Sequence, residues 1–303
     1  MKKINNLTIV IVTYLTDKNI LLNCLKSIDR KNKVIIVENS KTFKNRNYFL
    51  KKFSNVKITC TGSNLGYGKG NNFGLDRVKT DYALILNPDI ICENGFFKKV
   101  IKLINKNNKF SIIGCQYSNE TPYLPAGFFD KKKNKAFHKN FFLHKKKILS
   151  KVDWVTGCSM LINLKKFENR NIFDKKYFLY FEEFDLCKST NDKGGFVYSA
   201  RDLKVHHLGF KGSLGSNVLL KNEASRLRDW HWMWSYFYFY KKNYNYFYAL
   251  FKVLGKFFKS FLKAIFYTLI FNKTNRDKYF FRFYGLLFSI IGMKSNYRGS
   301  RFH

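Results

Sequence analysis

Over residues 7–89, short apolar runs alternate with helix-spaced stretches, and the runs end in polar clusters. Leu7–Tyr14 is rich in β-branched residues and nearly continuously apolar, as in a strand buried on both faces. Asn19–Ile28 places Ile20, Leu21, Cys24, Leu25 and Ile28 at helical spacing. Lys33–Val37 reads as a second strand, Asn47–Phe53 as a helix and Val56–Cys60 as a third strand. A glycine-rich loop follows, a helix restarts over Gly70–Val78, and Tyr82–Leu86 is a fourth strand. Such alternation predicts a parallel sheet covered on both faces. Ligands in these sheets bind beyond the carboxyl ends of the strands. Thr13-Tyr14, Glu38-Asn39-Ser40, the glycine loop and Asn87-Pro88-Asp89 all fall at those ends.

The chain has 303 residues, enough for one large α/β domain and a smaller appendage. Its six cysteines are scattered singly with no CxxC pair, which favours reduced thiols over a disulfide framework or a zinc site. The run from Leu7 to Tyr14 is too short for a signal-peptide core. No uncharged apolar run reaches the roughly 18 residues that span a bilayer. The expected location is cytoplasmic, peripheral on the inner face of the membrane. The net charge of +36 attracts anions, but Lys, Asn, Phe, Ile and Tyr are abundant together, as an AT-rich coding sequence produces. The local placement of lysines is therefore more informative than their number.

Asn119–Ser150 is lysine-rich and irregular and reads as a loop on the acceptor side. Val152–Ile162 resumes an apolar pattern around Gly157. Beyond Asp229 the character changes to an aromatic block, Trp230 to Tyr240. From Phe247 to Ile270 apolar residues recur at helical spacing, with Lys252, Lys256, Lys259 and Lys263 on one face. Such a helix either lies in a membrane interface with its lysines toward anionic headgroups, or packs on the domain with a solvated lysine stripe. Phe281–Met293 offers a second apolar anchor. The change of character at Asp229 divides the chain into an α/β domain, 1–228, and an aromatic, basic helical tail, 229–303.

Four motifs carry chemistry. In Asn64-Leu65-Gly66-Tyr67-Gly68-Lys69-Gly70-Asn71-Asn72-Phe73-Gly74, the glycines permit close backbone approach, and the following helix start offers N–H groups to phosphate. It is not a Walker A loop: Gly70 follows Lys69, and Ser63 stands where the first glycine belongs. A plain strand–helix turn is the alternative. Asp89, after Asn87-Pro88, suits Mg2+ or Mn2+, which take few protein oxygens beside substrate phosphates; an ordinary turn also fits. Glu182, Glu183 and Asp185 crowd together between aromatics, a setting that raises a carboxyl pKa toward that of a general base. Acids at a helix start are the structural alternative. His206-His207 could ligate a metal or contact phosphate, though such a pair is more often an ordinary surface or core feature.

In this order the motifs resemble those of family-2 glycosyltransferases with the GT-A fold, a Rossmann-like, mostly parallel sheet with flanking helices. The similarity is to the rhamnosyltransferase-like branch that builds bacterial polysaccharides, and it covers about residues 7–240. Three departures stand out. Glu38 replaces an Asp, Asn87 replaces the first acid of Asp-x-Asp, and Glu182-Glu183 replaces Glu-Asp. Each Asp-to-Glu exchange moves the reacting oxygen by roughly one C–C bond.

The resemblance implies inverting, metal-dependent transfer of a hexose or rhamnose from a dTDP- or UDP-sugar to a glycan or lipid-linked acceptor. It places Thr13, Tyr14, Glu38, Asn39, Asn64, Gly66, Gly70, Asn72 and Asn87 around the nucleotide. Asp89 and His206 hold the metal. Glu183 is the base, Asp185 its reserve, and Glu182 contacts the acceptor. Two rival readings are a membrane-bound sugar-binding module that has lost activity and a nucleic-acid-binding protein. The second leaves the glycine loop and Asp89 unexplained and sets acids against a polyanion, so no nucleic-acid partner is expected.

Overall fold

A computed structural model of the chain describes residues 6–106, 109–119, 124–130, 132, 148–209 and 218–298, with side chains for all of these except 218–221. Strand β1, Leu7–Thr13, is followed by helix α1, Lys18–Lys26. Asp17 caps α1 by accepting from the backbone N–H of Asn19 at 2.8 Å and Ile20 at 3.2 Å. β2 (Lys33–Glu38), α2 (Arg46–Lys52), β3 (Val56–Cys60), α3 (Tyr67–Leu75) and β4 (Tyr82–Leu86) complete the alternation read from the sequence. These four strands are parallel in the order β3-β2-β1-β4. Leu7, Ile9 and Ile11 enter the core on one face and Val10 the core on the other, which is why β1 is apolar throughout.

Beyond β4 the sheet becomes mixed. β5 (Ile90–Cys92), α4 (Phe96–Lys106), β6 (Ile112–Tyr117), β7 (Ala126–Gly127), β8 (Leu149–Lys151), β9 (Trp154–Val155), β10 (Ser159–Asn163), α5 (Glu182–Asp192) and β11 (Val197–His207) follow in the chain. β10 lies antiparallel between β4 and β6, β11 runs parallel to β6, and β5 closes the edge antiparallel to β11. Asn119–Ser150, expected to be an irregular loop, falls largely outside the described residues.

Three helices end the chain: α6 (Val218–Asn243), α7 (Tyr246–Leu269) and α8 (Lys273–Ile290). The domain boundary read at 228/229 therefore falls inside α6. Gly285 lets α8 press on α6, since a Cβ there would lie 2.2 Å from the Trp230 carbonyl oxygen. Ser289 Oγ donates to the Trp234 carbonyl at 2.9 Å, and Arg282 Nε bonds Asp229 at 2.7 Å. The His231 imidazole, fully buried, lies 2.9 Å from Ser295 Oγ and 2.7 Å from the Tyr297 carbonyl.

α7 has three faces. Ala249 and Val253 are buried against α6 and α8. Lys252, Lys256 and Lys259 are exposed on a second side. On a third, Phe247, Phe251, Leu254, Phe258, Leu262, Ile265 and Leu269 face outward at three- and four-residue spacing, with Phe247 and Phe251 both 79% exposed. Among the described residues no helix is long and apolar enough to cross a membrane.

Candidate active site

The carboxyl ends of β1, β2 and β4 open into a cavity of about 290 Å³. Of the residues expected around a nucleotide, Thr13, Tyr14, Asn39, Asn64, Gly66 and Asn87 line it. Glu38 sits behind it, 3% exposed, with Thr13 Oγ1 donating to one carboxyl oxygen at 2.7 Å and Ser40 Oγ to the other at 2.8 Å. Burial pushes the Glu38 carboxyl up, against the lowering effect of both hydroxyls.

Asn39 ties the glycine loop to β2. Its Nδ2 donates to Asn64 Oδ1 at 3.1 Å and to the Gly66 carbonyl at 2.9 Å, while its Oδ1 accepts from the Leu65 N–H at 3.1 Å and Thr61 Oγ1 at 3.2 Å. Gly66 has φ +83°, and a Cβ there would strike the Phe178 carbonyl oxygen at 2.1 Å. Only glycine satisfies both constraints. The N–H of Tyr67, first residue of α3, donates to that same carbonyl at 2.9 Å, so part of the helix start expected to receive phosphate is occupied by the chain itself. Gly70 and Asn72 do not line the cavity. A Cβ on Gly70 would meet Val12 Cγ1 at 2.9 Å, so this glycine seats α3 on β1. Asn72 uses its whole amide on the Phe173 backbone, donating to the carbonyl at 2.9 Å and accepting from the N–H at 3.0 Å. Both were expected at the nucleotide, and both instead hold α3 in place.

Asp89, 2% exposed, lies at the cavity floor where β5 leaves β4. The pairing of His207 with Ile90 across β11 and β5 brings the His207 ring to Asp89, Nε2 standing 3.5 Å from Oδ2. His206, expected to be the metal ligand, is exposed on the other side of the strand. The two-residue period of a strand gives neighbouring residues opposite faces, so β11 turns His207 rather than His206 to Asp89. Asp89 and His207 supply one carboxylate and one imidazole, and the buried His207 Nδ1 has no hydrogen-bond partner among the described residues. Among those residues no three His, Cys, Asp or Glu side chains gather to hold an ion. This donor set fits a Mg2+ or Mn2+ ion shared with substrate phosphates rather than a closed structural centre.

The acidic motif opens α5. Two successive non-glycine residues, Tyr180 (φ 69°) and Phe181 (φ 67°), adopt left-handed backbone conformations just before it. Such strain costs about 1–3 kcal/mol per residue and persists only where packing fixes it. The aromatic block of α6 does so: Trp232 packs edge-on against Tyr180 at 5.1 Å and against Phe181 at 5.2 Å, and Tyr236 meets Phe181 at 5.5 Å. Ser235 Oγ adds a hydrogen bond to the Leu179 carbonyl at 2.9 Å. The block is thus the clamp that delivers Glu182 and Glu183.

Glu182 is 2% exposed, and its Oε2 has no hydrogen-bond partner among the described residues. Burial, and then the charge of Glu183, hold its carboxyl well above the usual range. Burial raises Glu183 to about 7. Tyr67 lines the cavity and lies within electrostatic reach of both acids. Tyr117 stacks on His207 at 5.5 Å and also feels Glu183. Asp185, read as the reserve base, is committed elsewhere: Lys242 Nζ bonds its Oδ2 at 2.6 Å and Asn243 Nδ2 its Oδ1 at 2.9 Å.

The glycosyl transferase family 2 profile matches residues 8–170, more than half of the chain and the whole of the β1–β4 half-sheet. The chain belongs to glycosyl transferase family 2. It is 26% identical over 192 residues to the low-salt glycan biosynthesis hexosyltransferase Agl10 of Haloferax volcanii, covering 61% of each protein. It is 33% identical over 145 residues to the rhamnosyltransferase WbbL of Escherichia coli K12, covering 42% of this chain and 54% of that one. The chain thus spans less than two thirds of the length of both relatives. Its fold matches the mannosyltransferase PcManGT of Pyrobaculum calidifontis, solved with GDP-Man and Mn2+, with a TM-score of 0.54 and 10% identity over 94% of this chain and 87% of that one. The fold is the expected GT-A arrangement, and its family-2 sheet carries the cavity at the carboxyl ends of the strands.

His207 was named in the sequence only beside His206, and strand alternation separates the two. Tyr67 lies inside the glycine loop but was not singled out there, and Arg228 lines the cavity without any motif to mark it, because it arrives on α6, far along the chain.

Proposed function

We propose that the chain transfers a hexose or rhamnose from a dTDP- or UDP-sugar to a hydroxyl of a glycan or lipid-linked acceptor, inverting the anomeric carbon. The observation that carries this is a pairing of chemistries. Asp89 and His207 meet at the floor of a strand-end cavity, while Glu183, raised toward neutrality by burial, lies within electrostatic reach of two tyrosines, one lining that cavity and one stacked on His207. In this reading Glu183 takes the acceptor proton as the acceptor oxygen bonds the anomeric carbon and the bond to the diphosphate breaks. Asp89 and His207 would hold the divalent ion, which when bound neutralises charge on the leaving diphosphate. Arg228 adds a fixed positive charge to the cavity wall.

The deciding experiment is a thermal-shift panel of UDP, dTDP, GDP and CDP with and without Mn2+. One nucleotide at 100 times its Kd adds about 2.7 kcal/mol. At roughly 2.1 cal/mol/K of unfolding entropy per residue, that corresponds to a rise in Tm of about 4 °C for a chain of this length. The rise is expected for UDP or dTDP and only with metal. No shift with any nucleotide sinks the proposal. If a nucleotide binds but no donor is turned over, the sugar-binding module is the better reading.

We further propose that the outward apolar face of α7 lies in an anionic membrane surface, with Lys252, Lys256 and Lys259 reaching headgroups. Deleting residues after Asn243 is a poor test, because it strips α8 from Trp230 and Trp234. Point changes are better. Phe251→Ser with Phe258→Ser removes two exposed rings, each worth about 1.5–3 kcal/mol on burial. Flotation with vesicles containing phosphatidylglycerol is expected to fall at least tenfold with Tm unchanged. Undiminished flotation counts against this face.

A further inference from the structure

Asp185 is a buried acid on the first turn of the helix that carries Glu183, and its counter-ion comes from 57 residues away. Lys242, the penultimate residue of α6, bonds Asp185 Oδ2 at 2.6 Å and Asp174 Oδ2 at 2.7 Å. Asn243 bonds the other Asp185 oxygen, and Tyr238 OH donates to Asp174 at 3.1 Å. Asp185 is 3% exposed on its side chain while Lys242 keeps 35%, so the cation closes over the acid from the solvent side. One turn of helix separates Asp185 from Glu182, and residues three apart share a helix face. The charge of Asp185 accordingly bears on Glu182, and Glu182 and Glu183 bear on each other.

We propose that Lys242 is a positioning residue for transfer: by neutralising Asp185 it leaves the acidic helix start with a charge that Glu183 can carry. Besides Asp185, the groups that feel the pair are Tyr67 from α3, Tyr117 from β6, Cys158 from the turn before β10, Tyr177 and Tyr180 from the segment ahead of α5 and Cys187 from α5, each held neutral by burial, while Arg228 and Asp229 of α6 bear with opposite signs on Tyr180. Among the described residues, Lys242 is thus the cation bonded directly to this helix start. The role rests on the proposed use of Glu183 as the base, but the electrostatic claim is testable without substrate.

The chain has seven glutamates, so a titration of carboxyl-13C-glutamate by NMR resolves the Glu182–Glu183 pair, assigned through Glu182→Gln and Glu183→Gln. An opposite charge within about 4–6 Å lowers a carboxyl's own titration by about 1–3 units, and a like charge left uncompensated nearby raises that of its neighbour. Lys242→Met is expected to raise the midpoints of the pair by about one pH unit. Lys242→Arg should leave them within a few tenths. Lys242→Met with Asp185→Asn, which leaves no unpaired charge beside the pair and keeps for Asp174 the bond from Tyr238, should return them to wild type and guards against loss of fold in the single variant. Unmoved midpoints in Lys242→Met, or a shift that the double variant does not reverse, overturn the proposal. In turnover with the donor found by thermal shift, the acidic limb of kcat/KM should move with the midpoints. If the midpoints move while Glu183→Gln stays active, the base assignment is wrong and the electrostatic role of Lys242 stands.

Discussion

Glu183→Gln is expected to lower kcat by ~10²–10⁴, the usual range for loss of a general base, while leaving the nucleotide-induced thermal shift intact. The two side chains have nearly the same volume, so packing at the start of α5 survives and only the proton acceptor is lost. The separation of effects is what makes the result diagnostic, because Glu183 does not line the nucleotide cavity. The pH dependence has a definite sign. A base must be deprotonated to act, and burial raises Glu183 to about 7, so wild-type kcat should climb as pH rises through neutrality. The apparent midpoint belongs to the Glu182–Glu183 pair rather than to one residue. Glu183→Gln should flatten that limb. Full activity in this variant would remove Glu183 from the mechanism.

The half of the molecule that needed only local information was legible. β3 and β4 begin and end at the residues read from the sequence, because each is a continuous apolar run closed by polar or turn-forming residues. α3 begins at Tyr67 rather than Gly70, since the positive φ of Gly66 turns the chain early and the Phe178 carbonyl takes up the first N–H. Asn72 and Asp185 defeated the reading for one reason: each satisfies its polar group with a partner far along the chain, Phe173 and Lys242 respectively. A polar residue in a glycine loop reads as a ligand contact until the fold supplies another acceptor. The aromatic block was visible as a change of composition, but its job depends on two strained residues that no sequence pattern announces. His206 and His207 differ, for the information was present. Val205 is buried and His206 exposed, and a strand that alternates this way turns His207 back toward the site.

That alternation sets up the second large effect. Asp89→Ala is expected to abolish the Mn2+-dependent part of the nucleotide thermal shift and to lower turnover by ~10²–10³, the cost of losing one preorganised electrostatic group at a developing charge. His207→Ala should raise the Mn2+ concentration required by at least the ~10–100-fold that loss of a group merely orienting a metal ligand costs. His206→Ala should behave as wild type, because its side chain is exposed on the opposite side of β11. The three variants together discriminate between readings that a single one does not. If Asp89→Ala and His207→Ala fail while His206→Ala is normal, the ion is held by the pair standing 3.5 Å apart across β5 and β11. If His206→Ala fails instead, the strand must slip by one residue when substrate binds, and every side chain of the Val205–His207 stretch changes face. If Asp89→Ala retains metal-dependent binding, the ion is held by other groups, and the buried carboxylate at the cavity floor serves to orient His207 alone.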